Sequence, residues 1–248
     1  MRYLSTVFGL ILSSVSSLSY ATTLEIAVAS NFAEPAKQIA QQFEQQTKIQ
    51  VSISSAATGV LANQIRNGAP YKIFLSADQT TPKMLIKTGY AITSSQFTYA
   101  QGQLVLWSAN PHLIDSSSKI LTTSNFKYLA IANPKLAPYG AAGYQTLSKL
   151  GLTQQLQSKI VNGDNISNTY QYVASGNAQL GFVALAQIMQ KGKISQGSYW
   201  IVPTSINPLI KQDGIILKAG ASDPNVTKFI NFMRSESALT ILRTYGYR

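Results

Sequence analysis

Four short stretches of this chain share one chemistry: Ala29-Ser30-Asn31, Ala57-Thr58-Gly59, Pro138-Tyr139-Gly140 and Asn165-Ile166-Ser167. Each is built from small residues, hydroxyls or amides, carries no charge, and falls where a predicted strand gives way to a predicted helix. The first N–H groups of a helix have no carbonyl partner within it, and the helix dipole places partial positive charge at that end. Such a junction suits an anion. Ser30 and Thr58 add hydroxyl donors, while Gly59 and Gly140 are expected to let the backbone approach a ligand closely. Taken singly, each junction also has a plain structural use. Ser, Thr and Asn are ordinary helix caps, Tyr139 after Pro138 suits a turn, and Ile166 suits a core and offers a ligand only its N–H. If the fold brings all four together, they enclose a tetrahedral oxyanion with neutral donors alone.

The composition removes several other chemistries. The 248 residues include no Cys and one His, His112, which excludes disulfides, thiolate metal sites, cysteine nucleophiles and multi-histidine metal sites. His112 followed by Leu113 in a proline-bearing loop reads as a surface residue. A Ser-x-x-Lys spacing occurs at Ser116 and Lys119, but in a predicted loop rather than at a strand-to-helix turn. No acid–base pair is apparent, and an enzyme is not expected. Hydrophobic residues make up 45% and charged residues 12%, so the chain can build a core and must cover it with uncharged polar side chains. Lys and Arg number 20 against 9 Asp and Glu, a formal +11 that favours anionic partners. These cations are dispersed rather than clustered, which argues against nucleic acid.

Residues 1–21 read as an export signal: Arg2, an apolar run from Leu4 to Leu12, then Ser19-Tyr20-Ala21 with cleavage expected after Ala21. The apolar run is too short to span a bilayer, and no Cys follows it for lipid attachment. Losing Arg2 with this segment lowers the net charge by one.

Positioning the four junctions requires alternating strands and helices. Strands are predicted over 24–29, 49–53, 73–76, 104–108, 128–131, 158–161, 180–183, 199–202 and 214–217. Helices are predicted over 33–46, 60–66, 81–87, 141–150, 168–174 and within 224–243. This alternation argues for an α/β fold with mostly parallel sheets flanked by helices. The stretches 102–108 and 203–214 are the expected crossovers between two lobes: 22–102 plus 213–248, and 103–212. The ligand cleft then lies between them.

One further set of motifs stands out. Gln64-Ile65-Arg66-Asn67-Gly68-Ala69-Pro70 precedes Ile73-Phe74-Leu75-Ser76-Ala77-Asp78. Val28-Ala29-Ser30-Asn31-Phe32, Ala132-Asn133-Pro134 through Ala137-Pro138-Tyr139-Gly140, and Leu180-Gly181-Phe182-Val183 complete the pattern. Together they resemble periplasmic molybdate-binding proteins of ABC transporters, along nearly all of the chain after residue 21. The resemblance implies a type II periplasmic binding-protein fold, no cofactor, and molybdate or tungstate held at the cleft by neutral donors. Carried over position by position, it implies ligand contacts from Ser30, the Asn31 N–H, Thr58 in place of a serine, and the N–H groups of Tyr139 and Ile166. It also implies a membrane permease as partner, a monomeric chain and a periplasmic location. Sulfate, phosphate or a small organic acid is the alternative ligand, although none of the few arginines stands at a junction to form a carboxylate fork.

The chain departs from the family pattern in two places. Ala184 stands where some members carry a ligand tyrosine, a loss that Tyr139 would compensate if its ring turned inward. Lys72 stands where an Asp is common, and reads as a solvated strand-edge lysine rather than a ligand contact. Asp78 reads as a helix cap.

Overall fold

The computed structural model describes residues 23–123 and 125–248; the expected signal and its cleavage point lie outside the described residues. In chain order the elements are β1 (Leu24–Ala29), α1 (Ala33–Thr47), β2 (Val51–Ala56), α2 (Thr58–Arg66), β3 (Ile73–Leu75), α3 (Thr80–Lys87) and β4 (Phe97–Gly102). Next come β5 (Leu104–Ser108), β6 (Leu129–Ala132), α4 (Pro138–Lys149), α5 (Thr153–Leu156), β7 (Ile160–Gly163) and α6 (Ile166–Ala174). The chain continues with β8 (Leu180–Ala184), α7 (Leu185–Ile188), the hairpin β9 (Met189–Gln190) and β10 (Lys193–Ile194), and β11 (Ser198–Ile201). It finishes with β12 (Ile210–Ile216), α8 (Pro224–Met233) and α9 (Glu236–Thr244).

Two five-stranded mixed sheets organise these elements. The first has the order β2-β1-β3-β12-β4, in which β2, β1 and β3 are parallel and β12 is antiparallel to both its neighbours. The second has the order β11-β5-β8-β6-β7, with β8, β6 and β7 parallel and β5 antiparallel to its neighbours. The chain crosses between sheets at Gln103 and returns through residues 202–209. The result is a two-lobed α/β fold.

Each sheet is covered on both faces, which explains the nearly unbroken apolar strands. In β1, Ile26 and Val28 face α1, α8 and α9, while Ala27 on the other face meets Leu61 and Ile65 of α2. Helix α1 buries Ala36, Ile39, Ala40 and Phe43, the i, i+3, i+4, i+7 stripe of a helix with one covered face. Phe43 meets Phe229 edge-on at 5.2 Å between ring centres. In the second lobe Leu104 and Leu106 share one core with Leu147 and Phe182, while Val105 and Trp107 join Val173 on the opposite face. Burying each of these large side chains contributes about 1.5–3 kcal/mol.

Strand β4 and the first half of β12 were not expected. Phe97-Thr98-Tyr99-Ala100-Gln101-Gly102 alternates too weakly to stand out, and Lys211-Gln212-Asp213 reads as a loop. Gln212 and Asp213 are nonetheless buried, and Asp213 accepts hydrogen bonds from Gln79, Gln96 and Thr98. Residues 104–108 form a full strand of the second sheet rather than a crossover. Strands β2 and β7 begin two residues later than expected. Helix α4 begins at Pro138, three residues early, because proline's fixed φ suits a first helical position.

Candidate functional site

All four junctions end strands that run parallel within their sheets: β1 before Ser30, β2 before Thr58, β6 before α4, and β7 before Ile166. Ligands of open α/β sheets bind beyond such carboxyl ends. Here the two lobes face each other across one cavity. Ser30, Asn31, Thr58, Tyr139 and Ile166 all line it, together with Pro138 and four alanines: Ala29, Ala57, Ala77 and Ala137. None of the five predicted site residues is more than 8% exposed. The cavity is small, about 180 Å³. No Asp, Glu, Lys, Arg or His lines it.

Each junction supplies donors for a local reason. Ser30 opens a 3-10 turn, Ser30–Phe32, that leads into α1, and its hydroxyl makes no hydrogen bond among the described residues. The Thr58 oxygen accepts the Ala77 N–H at 3.1 Å, which leaves the Thr58 proton free to donate. Pro138 is the first residue of α4 and has no N–H, so Tyr139 carries the first donor of that helix. At α6 the Asn165 carboxamide caps the N–H groups of Ser167 and Asn168 at 2.8 and 3.0 Å. That leaves the Ile166 N–H, at the first helical position, without a capping acceptor. Gln187 fixes the same residue by donating to the Ile166 carbonyl at 3.0 Å while accepting the Ala184 N–H at 2.9 Å.

The lobes touch around the cavity. Gly59 N–H donates to the Leu136 carbonyl at 2.9 Å, and the Ser167 hydroxyl donates to the Ser30 carbonyl at 3.3 Å. Gly59 and Gly140 do not open the backbone to a ligand as expected. A side chain at Gly59 would press on Leu136 across the cleft, and one at Gly140 would overlap the Ala132 carbonyl, so both glycines serve packing. A larger groove of about 1140 Å³ adjoins the cavity at Ser30 and Asn31 and carries the exposed Glu34–Lys37 pair.

Behind the cavity lies a polar network that the sequence did not reveal. The Asn31 carboxamide nitrogen donates to Gln212 Oε1 at 2.8 Å and to the Tyr247 hydroxyl at 3.0 Å. Tyr247 in turn donates to the Asn31 carbonyl at 2.9 Å. Tyr99 donates to Gln212 Oε1 at 3.1 Å, and Gln212 Nε2 donates to the Tyr139 hydroxyl at 3.3 Å. The Asn31 side chain is therefore turned away from the cavity. The Tyr139 hydroxyl joins this network by accepting the Gln212 amide proton. Burial, foremost, pushes the pKa of Tyr99, Tyr139 and Tyr247 well above the usual phenol value, and keeps all three as neutral hydroxyls. Gln212 and Tyr247 come from distant positions with no local motif, so no pattern in the sequence singles them out.

The other residues considered lie elsewhere. Lys72 is not a solvated lysine: its ammonium pairs with Asp223 at 2.7 Å, and both side chains are less than one-fifth exposed. Burial pushes the Asp223 carboxyl up, but the Lys72 hydrogen bond, the Asn225 N–H and the Lys72 charge outweigh it and hold the pKa below its ordinary value. Lys72 precedes β3, at the end of the sheet away from the cavity. Asp78 accepts the Thr81 N–H at 2.8 Å at the start of α3, the capping role expected of it. His112, Ser116 and Lys119 are exposed. Among the described residues, no group of His, Asp and Glu side chains could hold a metal ion.

The bacterial extracellular solute-binding protein family model matches residues 24–248. The chain belongs to that family. Among its relatives, the molybdate-binding protein ModA of Azotobacter vinelandii is 47% identical over 92% of this chain and 90% of its own length. The molybdate-binding protein ModA of Rhodobacter capsulatus is 44% identical over 89% of this chain and 86% of its own length. The solved structure of the Azotobacter vinelandii periplasmic molybdate-binding protein superposes with a TM-score of 0.88 at 42% identity, covering 91% of this chain and 98% of that one. This family membership places the chain among solute-binding transport proteins.

Proposed function

We propose that this chain is the substrate-binding component of an ABC importer that captures molybdate, and tungstate with it, and delivers the anion to a membrane permease. The observation that carries the reading is a cavity between the lobes lined by neutral donors, in a chain whose relatives at 47% and 44% identity are named for molybdate. Ser30 and Thr58 give hydroxyl protons, and Asn31, Tyr139 and Ile166 give backbone N–H groups. No lysine or arginine is required at the ligand. Each contributing helix N-terminus carries roughly half a unit of positive charge, and hydrogen bonds to an ionised ligand are about twice as strong as neutral ones.

Capture begins on one lobe and ends with closure of the other. Closure excludes water, and in the resulting low dielectric each donor binds the anion more strongly than it would in solvent. Selectivity follows from size and protonation. Metal–oxygen bonds in molybdate and tungstate are longer than sulfur–oxygen bonds, and a rigid shell of donors fits one radius. Hydrogen phosphate brings an O–H that needs an acceptor, and the cavity offers donors. The net positive charge of the chain raises the on-rate for anions without choosing among them.

We read the lobes as 22–102 plus 213–248 and 103–212, with Ile210–Gln212 at the return already paired to β4 of the first sheet. The same reading makes the protein a periplasmic monomer, processed after Ala21, that performs binding and no catalysis. Thermal unfolding with molybdate, tungstate, sulfate or phosphate, each at a hundredfold excess over the molybdate Kd, tests it. Binding then adds about 2.7 kcal/mol, a rise in Tm of roughly 5–11 °C for a chain of this size. A rise with molybdate and tungstate alone is expected. A rise only with sulfate or phosphate would move the substrate and leave the fold standing.

A further inference from the structure

We propose that Gln212 is a positioning residue that couples the two halves of the site, making closure of the second lobe and the aim of the Asn31 peptide one event. The inference rests on the reading that the cavity holds molybdate. Gln212 is fully buried on β12, beside an irregularity in the β12–β4 pairing between Gln212 and Asp213. Such a bulge re-aims a side chain. Here it sends a single carboxamide between the lobes. Its oxygen accepts from Asn31 at 2.8 Å and from Tyr99 at 3.1 Å in the first lobe. Its nitrogen donates at 3.3 Å to the hydroxyl of Tyr139, a residue that lines the cavity from the second lobe.

The first crossover completes the arrangement. A Cβ built at Gly102 would overlap the Tyr139 hydroxyl and lie 2.7 Å from Gln212 Nε2, so the contact occupies the space a side chain would need at the chain's passage between lobes. Moving the second lobe away withdraws Tyr139 and leaves a buried amide without its partner, a state that buried polar groups avoid. The same movement frees the other end of Gln212, which holds Asn31. Opening thus costs the contact at Tyr139 and loosens a donor in the opposite lobe together.

Stopped-flow tryptophan fluorescence on the full chain with molybdate tests this, comparing Gln212→Leu, Tyr139→Phe and the double variant. Tyr139→Phe removes only a hydroxyl and keeps the backbone N–H, so it serves if Gln212→Leu fails to fold. We expect each single variant to release molybdate about three- to tenfold faster, with an on-rate changed less than about twofold. The double variant should release no faster than the quicker single one, because both remove the same link. An unchanged off-rate in a folded variant, a loss confined to the on-rate, or fully additive effects would overturn the coupling while leaving the molybdate reading intact. Failure of the unaltered chain to bind molybdate would overturn that reading, and this inference with it.

Discussion

The two lobes face one cavity with different chemistry. In the proposed reading the first contributes the hydroxyls of Ser30 and Thr58 with the Asn31 N–H, and the second the N–H groups of Tyr139 and Ile166, all five residues lining the cavity. The first half is written in side chains and the second in backbone. A side-chain substitution can therefore delete a donor in the first lobe, whereas in the second it can only disturb what aims the donor. The contrast also separates residues that touch the ligand from residues that hold the touching groups, such as Asn165, Gln187 and Gln212.

The largest break should come from Thr58→Val, which keeps the shape and removes the hydroxyl. It loses a donor to the anion, about 1.5–3 kcal/mol or roughly ten- to a hundredfold in affinity, and also leaves the buried Ala77 N–H without its acceptor. Calorimetric titration and thermal unfolding should both register it, the second as a further loss of about 1–3 kcal/mol. Ser30→Ala should cost a similar factor in affinity yet leave stability within about 0.5 kcal/mol, since that hydroxyl has no partner among the described residues. An unchanged molybdate affinity in Ser30→Ala would refute its placement at the ligand.

In the second lobe the effects shrink. Asn165→Ala removes the cap of α6 and should cost about 0.5–2 kcal/mol of stability, with affinity falling about three- to tenfold because the Ile166 N–H survives but loses its aim. The smallest effect belongs to Ile166→Val. Its stability should drop about 0.5–1.5 kcal/mol for a shortened core side chain, with the affinity held within about twofold. A tenfold loss of affinity there would mean that the side chain, not the backbone, meets the ligand.

The sequence made the first lobe's donors legible because hydroxyls and amides at a strand-to-helix turn are visible as residue types. The junctions at Tyr139 and Ile166 showed in the same way, but only the family resemblance assigned their N–H groups to the ligand, since a backbone N–H leaves no signature in the residue that bears it. The α/β alternation and most elements were equally visible, because strands covered on both faces read as apolar runs. Strand β4 and residues 210–213 were not. Their polar residues are buried and satisfied only by partners far along the chain, as when Asp213 meets Gln79, Gln96 and Thr98. The network around Gln212 was hidden for the same reason: Asn31, Tyr99, Tyr139 and Tyr247 come together through topology alone. Lys72 showed the reverse error, a surface reading undone by Asp223 at a distance of 151 residues along the chain.

The central claim is that neutral donors from both lobes hold a tetrahedral oxyanion in the cavity between them. Crystals of the full chain grown with molybdate, measured at the molybdenum absorption edge, test it most directly through the anomalous signal of the metal. The account predicts one strong peak inside the cavity, with anion oxygens within hydrogen-bond reach of the Ser30 and Thr58 hydroxyls and of the Asn31, Tyr139 and Ile166 N–H groups. A peak beside lysine or arginine side chains outside the cavity, with the cavity itself empty, would contradict it.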